Sequence, residues 1–229
     1  MAVGYSGSFS LFTLTKTNLI KPNKVNESVE LLDEIKRLAI KELLNPSLEL
    51  SIQFLSSLHL EAENGIPIIK RIDFDDPDGI IVVYVPIKDE LFYFALYFDS
   101  NEKNELVDIG TEAGSKVYLW VYDSEKIDKS GFPYQPINVG NKSFTYSLDN
   151  GDPDNLEDKI NLLLERLESR IDDFLKFSQQ THMSINVAYY GYKEQMWGLH
   201  LDKNTIRRLN DLNIDLDFDI YASGSDLKD

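Results

Sequence analysis

The chain reads as an α+β protein with mostly antiparallel sheets, its C-terminal half ferredoxin-like (split βαβ) with one long amphipathic helix. Three observations predict this. Between Leu212 and Tyr221, Ile214, Leu216, Phe218 and Ile220 alternate with Asp215, Asp217 and Asp219, the period of a half-buried strand. Between Leu156 and Leu175, apolar residues recur at helical spacing along one continuous face. From residue 115 onward the elements run strand(s), helix, strand, strand, helix, strand, the order of a split βαβ fold.

Each element has its own local reason. Residues 8–14 alternate as a first strand. Asn26 offers a helix N-cap, and Val29, Leu32, Ile35, Leu38, Ala39 and Leu43 carry the helix to the stop at Asn45-Pro46. Leu48, Leu50, Ile52, Phe54, Leu58 and Leu60 share one parity and predict a long half-buried strand. Strands follow over 66–72, 80–87 and 91–98. The last two form an antiparallel hairpin closed near Lys88-Asp89, apolar on both parities and therefore mid-sheet. Val117, Leu119 and Val121 alternate with Tyr118, Trp120 and Tyr122 in a further strand, and a turn-rich linker covers 123–136. A ribbon lies around 141–148. Asp152 with Pro153 caps the long helix over 153–178. Strands at 183–190 and 197–201, a helix capped by Asp202, and a left-handed exit at Asn213 lead into the final strand. A boundary near Gly114 divides an N-terminal α+β half, 1–114, from a C-terminal ferredoxin-like half, 115–229.

Composition bounds the function. Of 229 residues, 42% are hydrophobic, including 12 Phe and 12 Tyr, enough to fill true cores. There are 39 acidic and 23 basic residues, a formal charge of −16. Residues 1–114 carry −9 and residues 115–229 carry −7, so the acidity is spread rather than gathered in a tail. Such a field repels phosphate backbones and anionic lipid and draws in basic partners, although acidity also simply keeps a protein soluble. Neither nucleic acid nor membrane is an expected partner. No cysteine is present, which excludes disulfides, thiolate nucleophiles and cysteine-based zinc sites. The N-terminal residues lack the pattern of a signal peptide and no apolar run is long enough to span a bilayer, so the expected location is the cytoplasm.

The Leu-rich helix 156–175, the strand Ser184–Tyr190, the segment Trp197-Gly-Leu-His-Leu201 leading into the helix at Asp202, and the closing Leu209–Tyr221 stretch carry a family resemblance. Together they resemble a bacterial family of uncharacterised proteins, domain of unknown function 4279. Residues 115–150 depart from the family's usual opening, and residues 1–114 lie outside the match. The resemblance transfers no catalytic residues. It implies small cytosolic proteins, some in toxin–immunity or defence contexts, and so a binding protein rather than an enzyme.

The candidate chemistry is sparse. Asp215, Asp217 and Asp219 form a carboxylate ladder with about 6–7 Å between neighbours. The ladder fits a solvated face, an edge strand protected by charge, or an acidic stripe that docks basic side chains; its spacing is too wide for one metal ion without other ligands. Asp73–Gly79 fails the register of a calcium loop, because position one would be Phe74 and position twelve Val85. Asp149–Asp154 reads as a turn followed by a helix cap. His59, His182 and His200 match no metal or nucleophile motif, and no serine elbow or phosphate loop is present. The row Tyr118, Trp120, Tyr122 reads as core between sheet and helix. Tyr190, Tyr192 and Trp197 cluster around a turn and are candidates for a protein contact.

The expectation is therefore a non-catalytic interaction protein with no cofactor and no metal. Its most concrete form is an acidic immunity-type protein that neutralises a basic toxin, with Asp215, Asp217, Asp219, Tyr190, Tyr192 and Trp197 as partner-binding residues. The alternatives are a small-ligand-binding or sensory module, with the ligand between the halves, and an enzyme without a recognisable motif. Oligomeric state is not legible.

Overall fold

The computed structural model describes residues 22–75, 79–102, 104–122, 129–140, 142–149, 151–153, 155–195 and 198–227. The strand expected over 8–14 lies outside them. The α+β class with mostly antiparallel sheets holds, in two compact units. The first comprises residues 1–113 with 191–195 and 223–229, and the second comprises 114–190 with 196–222.

In the first unit, helix α1 spans Pro22–Leu44. It opens at Pro22, where a missing N–H removes no helical bond, so Asn26 lies inside the helix rather than capping it. Ile35, Ala39 and Leu43 form its buried stripe. The strand expected over 48–60 is instead helix α2, Glu49–Ser57. Leu48, Leu50 and Ile52 are exposed while Phe54 and Leu58 are buried four residues apart, so the helical period wins over the shared parity. Glu42 supplies what the α2 start needs. Its Oε1 accepts the backbone N–H groups of Ser47 and Leu48 at 2.9 and 3.1 Å, and its Oε2 the Ser47 hydroxyl at 2.6 Å. Burial works to raise the Glu42 carboxyl, but these bonds together hold it below the usual range.

Strands β1 (Ala62–Glu63) and β2 (Ile66–Pro67) form a small hairpin. Its turn, Asn64-Gly65, has φ of 52° and 80°, the left-handed pair that two-residue hairpins favour. Strands β3 (Arg71–Asp75), β4 (Ile80–Pro86), β5 (Tyr93–Asp99) and β6 (Glu105–Glu112) make an antiparallel sheet in chain order. As expected, the β4–β5 hairpin is central. Ile81, Val83, Val85, Phe94, Leu96 and Phe98 join α1 and α2 in one core, and Val82, Tyr84 and Ala95 are buried on the opposite parity.

The second unit opens with β7 (Gly114–Tyr122), followed by a 3-10 turn (Lys129–Gly131), β8 (Asn138–Val139) and β9 (Ser143–Tyr146). Helices α3 (Leu156–Glu168) and α4 (Ile171–Ser178), strand β10 (Met183–Tyr192), helix α5 (Lys203–Asp211) and strand β11 (Asp215–Ser223) complete the chain. The sheet order is β11-β10-β7-β9-β8. Both β9 and β10 run antiparallel to β7, which lies between them, so β9, α3–α4 and β10 form a split βαβ unit. Beyond it the ferredoxin-like pattern changes. The strand expected over 197–201 is absent from 198–201, which carry no regular structure, and α5 leads straight to β11 beside β10. His182, just before β10, meets Asp215 at the start of β11, and Tyr190 stacks on Tyr221 near the far end of both, so β10 and β11 run parallel.

The long helix expected over 153–178 is two helices, and Asn155 rather than Asp152 caps the first, accepting Glu157 N–H at 2.9 Å. The break falls at Ser169-Arg170, where Arg170 leaves helical backbone (φ −138°, ψ 51°). Two side-chain bonds brace it: Tyr134 Oη donates to the Leu167 carbonyl at 2.5 Å, and Arg170 Nη1 donates to the Pro133 carbonyl at 2.8 Å. Asp149, expected in a simple turn, has a side chain only 5% exposed. It pairs with Lys159 Nζ at 3.1 Å and accepts Val117 N–H at 2.8 Å, and Lys159 also donates to the Ser115 carbonyl at 2.7 Å. This ion pair fastens the approach to α3 onto β7. Asp202 caps α5 and Asn213 exits it at φ 53°, both as expected.

Candidate protein-interaction face

The register of the second sheet decides which side chains share a face. Opposite Leu119 stand Ile185 and Tyr146, and opposite Val121 stand Met183 and Phe144; these point into the core with the apolar stripes of α3, α4 and α5. The other parity of β7, Tyr118, Trp120 and Tyr122, therefore points away from the helices. This corrects the reading of that row as core. The aliphatic Val117, Leu119 and Val121 fill the space under the helices, and the larger rings are left on the outer face. Opposite Trp120 lie Ser184 and Thr145, and opposite Tyr118 lies Asn186, so the surrounding floor is small and polar.

The rings form a row. Centroids of Tyr118 and Trp120 are 6.2 Å apart, those of Trp120 and Tyr122 6.0 Å, and those of Tyr122 and His182 5.3 Å, with interplanar angles of 38°, 32° and 40°. Alternate residues of one strand lie at about this spacing, so the row follows directly from the pleat. Tyr122 is half exposed, and the Trp120 indole N–H has no acceptor among the described residues. A second stack, Tyr190 on Tyr221 at 5.1 Å and 15°, stands on the same face, with Lys116 Nζ 5.9 Å above the Tyr190 ring.

Alongside runs the carboxylate ladder. Asp215, Asp217 and Asp219 are exposed on β11, which is an edge strand. Asp215 Oδ2 lies 3.6 Å from His182 Nε2, and no cation pairs with Asp217 or Asp219 among the described residues. Burial first, then the charge of Asp219, raises the Tyr118 hydroxyl above its ordinary value; burial, Tyr221 and Asp219 do the same for Tyr190. Both hydroxyls are thus held as neutral donors beside a row of anions.

The structure separates the residues that the sequence grouped. The three aspartates and Tyr190 share this face. Tyr192 does not: it is 1% exposed in the core of the first unit, its ring 5.5 Å from Phe92 and 6.0 Å from Phe54, its hydroxyl donating to the Ser225 carbonyl at 2.7 Å. Residues two apart on one strand share a face, so parity alone would keep Tyr190 and Tyr192 together; the chain passes from the second unit to the first at Gly191, and that is what parts them. Trp197 lies outside the described residues. His182 and Tyr221 were missed as members. Their signal was the parity each shares with the outward residues of β10 and β11.

Residues 120–223 match the model of a family described as a domain of unknown function, DUF4279. The C-terminal half of the chain resembles DUF4279. The match opens at Trp120 within the aromatic row and closes at Ser223, the last residue of β11, so it takes in the split βαβ unit and the whole carboxylate ladder. No curated protein and no solved structure matches the chain. Among the described residues, no helix is long and apolar enough to cross a membrane.

Proposed function

We propose that this chain is a non-catalytic interaction protein that captures a basic protein partner on the outer face of its DUF4279-like sheet. One observation carries the reading: a row of four rings and three exposed carboxylates share the sheet face opposite the one that α3, α4 and α5 cover. Guanidinium and ammonium groups are held by aromatic faces and by carboxylates, and this surface offers both, meeting where His182 Nε2 lies 3.6 Å from Asp215 Oδ2. The net charge of −16 adds long-range attraction, which speeds encounter with a basic protein more than it tightens the final complex. In its most specific form the chain is an immunity-type protein of the bacterial cytoplasm, neutralising a basic toxin.

The test uses the full chain as bait in lysate of its own host, beside a Tyr118→Ser/Trp120→Ser variant. The expected result is one stoichiometric basic protein retained at low salt, eluted at high salt, lost by the variant, and toxic in cells unless the bait is co-expressed. Its association rate falls steeply with ionic strength. A salt-independent association rate, or retention that the variant leaves unchanged, refutes the reading.

A further inference from the structure

The β11 strand is the end of its sheet, and among the described residues nothing pairs with its outer edge. An open edge is a template for another strand, and proteins blunt such edges with proline, bulges, shortness or charge. Over its nine residues, Asp215–Ser223, β11 has no proline and continues without a break. Among the described residues only charge guards it, and that guard is selective. A second copy of β11, or any acidic strand, would set carboxylate against carboxylate, whereas a basic strand would set cation against carboxylate.

The two parities of β11 differ. Asp215, Asp217 and Asp219 stand on the outer face, while Leu216 and Phe218 are partly buried on the other and Ile220 is 52% exposed there. A strand laid along this edge therefore meets anions with one set of alternate side chains and apolar groups with the other.

Resting on the proposed basic partner, we infer that β11 is its docking edge. The partner contributes an extended segment with Lys or Arg at alternate positions and apolar residues between them, added to the sheet as a further strand. Main-chain hydrogen bonds supply the binding, and the alternation supplies the selectivity.

Two labelled ten-residue peptides of identical composition test this against the full chain, one alternating Lys and Val and one with five Lys followed by five Val. Binding is followed by fluorescence anisotropy, and amide hydrogen exchange is read along β11. The alternating peptide is expected to bind about tenfold more tightly than the block peptide. It should slow exchange of β11 amides, and lose binding when every second amide is N-methylated or when the chain carries Asp215→Asn, Asp217→Asn and Asp219→Asn together. All three sites are exposed, so the triple variant should keep its fold, which circular dichroism checks. Equal binding of the two peptides without β11 protection overturns strand addition and leaves the basic-partner reading standing. Binding of neither peptide overturns it as well; if the lysate bait also retains nothing, both readings fall.

Discussion

The two sheets of this chain differ in what their second faces meet. In the first unit, β4 and β5 are buried on both parities, with Val82, Tyr84 and Ala95 as enclosed as Val83, Val85 and Leu96. Polar groups on that sheet must pair internally, and they do: Tyr97 donates to Glu112, and Arg71 Nε lies 2.5 Å from Asp73 Oδ1. In the second unit one face is packed by three helices, and the other carries rings and exposed carboxylates. Chemistry confined by burial serves stability, and the open face is the one proposed above for recognition.

The largest effect should come from the second unit's own buried charge. Asp149 and Lys159 side chains are each 5% exposed, so Asp149→Ala strands an ammonium in the interior. A loss of about 3–5 kcal/mol is expected in chemical denaturation. Adding Lys159→Met should recover much of it; no recovery would mean that the backbone bonds of Asp149, not the pair, carry the effect.

Next, Tyr192→Ala and Tyr190→Ala set core against surface within three residues. The first should cost about 3–5 kcal/mol by emptying the space between Phe54 and Phe92. The second should cost about 1 kcal/mol and instead weaken partner capture. Similar losses of stability from both would erase the distinction between the two faces.

A smaller effect is expected at Glu112. Burial raises its carboxyl, and the bond from Tyr97 offsets only part of that rise. Burial and the Glu112 charge also push the Tyr97 hydroxyl far up, so it remains the donor. Because the folded Glu112 carboxyl titrates above its unfolded value, its contribution is full below the ordinary Glu range. That contribution is lost as pH rises through the folded value. Glu112→Gln should flatten this fall in a series of denaturation curves; an unchanged slope would show that Glu112 is ionised without penalty. The smallest effect belongs to the open face: Asp217→Asn should change stability by no more than about 0.5 kcal/mol while reducing the salt dependence of partner association.

The class, the β4–β5 hairpin, the α5 cap at Asp202 and the alternating stretch of β11 from Asp215 to Tyr221 were legible because local pattern and tertiary context agree there. Other elements were not, for identifiable reasons. Residues 48–60 satisfy both a strand parity and a helical stripe, and only the buried positions of Phe54 and Leu58 choose between them. The break at Ser169-Arg170 leaves no mark in the apolar periodicity, and the hydroxyl that takes up the Leu167 carbonyl beside it comes from Tyr134, more than thirty residues earlier. Asn64-Gly65 was a readable hairpin signal that the surrounding apolar run obscured. At the candidate site the acidic ladder was plain. The aromatic row was visible but assigned inward, because β7 is apolar on both parities and sequence alone does not say which side the helices cover.

At Gly191 and again at Ser223 the chain leaves the second unit and returns to the first. There Tyr192 sits between Phe54 and Phe92, Gly224 at φ +104° passes so close to that ring that a Cβ would lie 2.6 Å from its Cδ2, and Leu227 packs on the same core. During synthesis, then, the first unit waits for residues made after nearly all of the second. A nascent chain halted at residue 114 exposes an unfilled hydrophobic hole, and the part translated first is the part completed last.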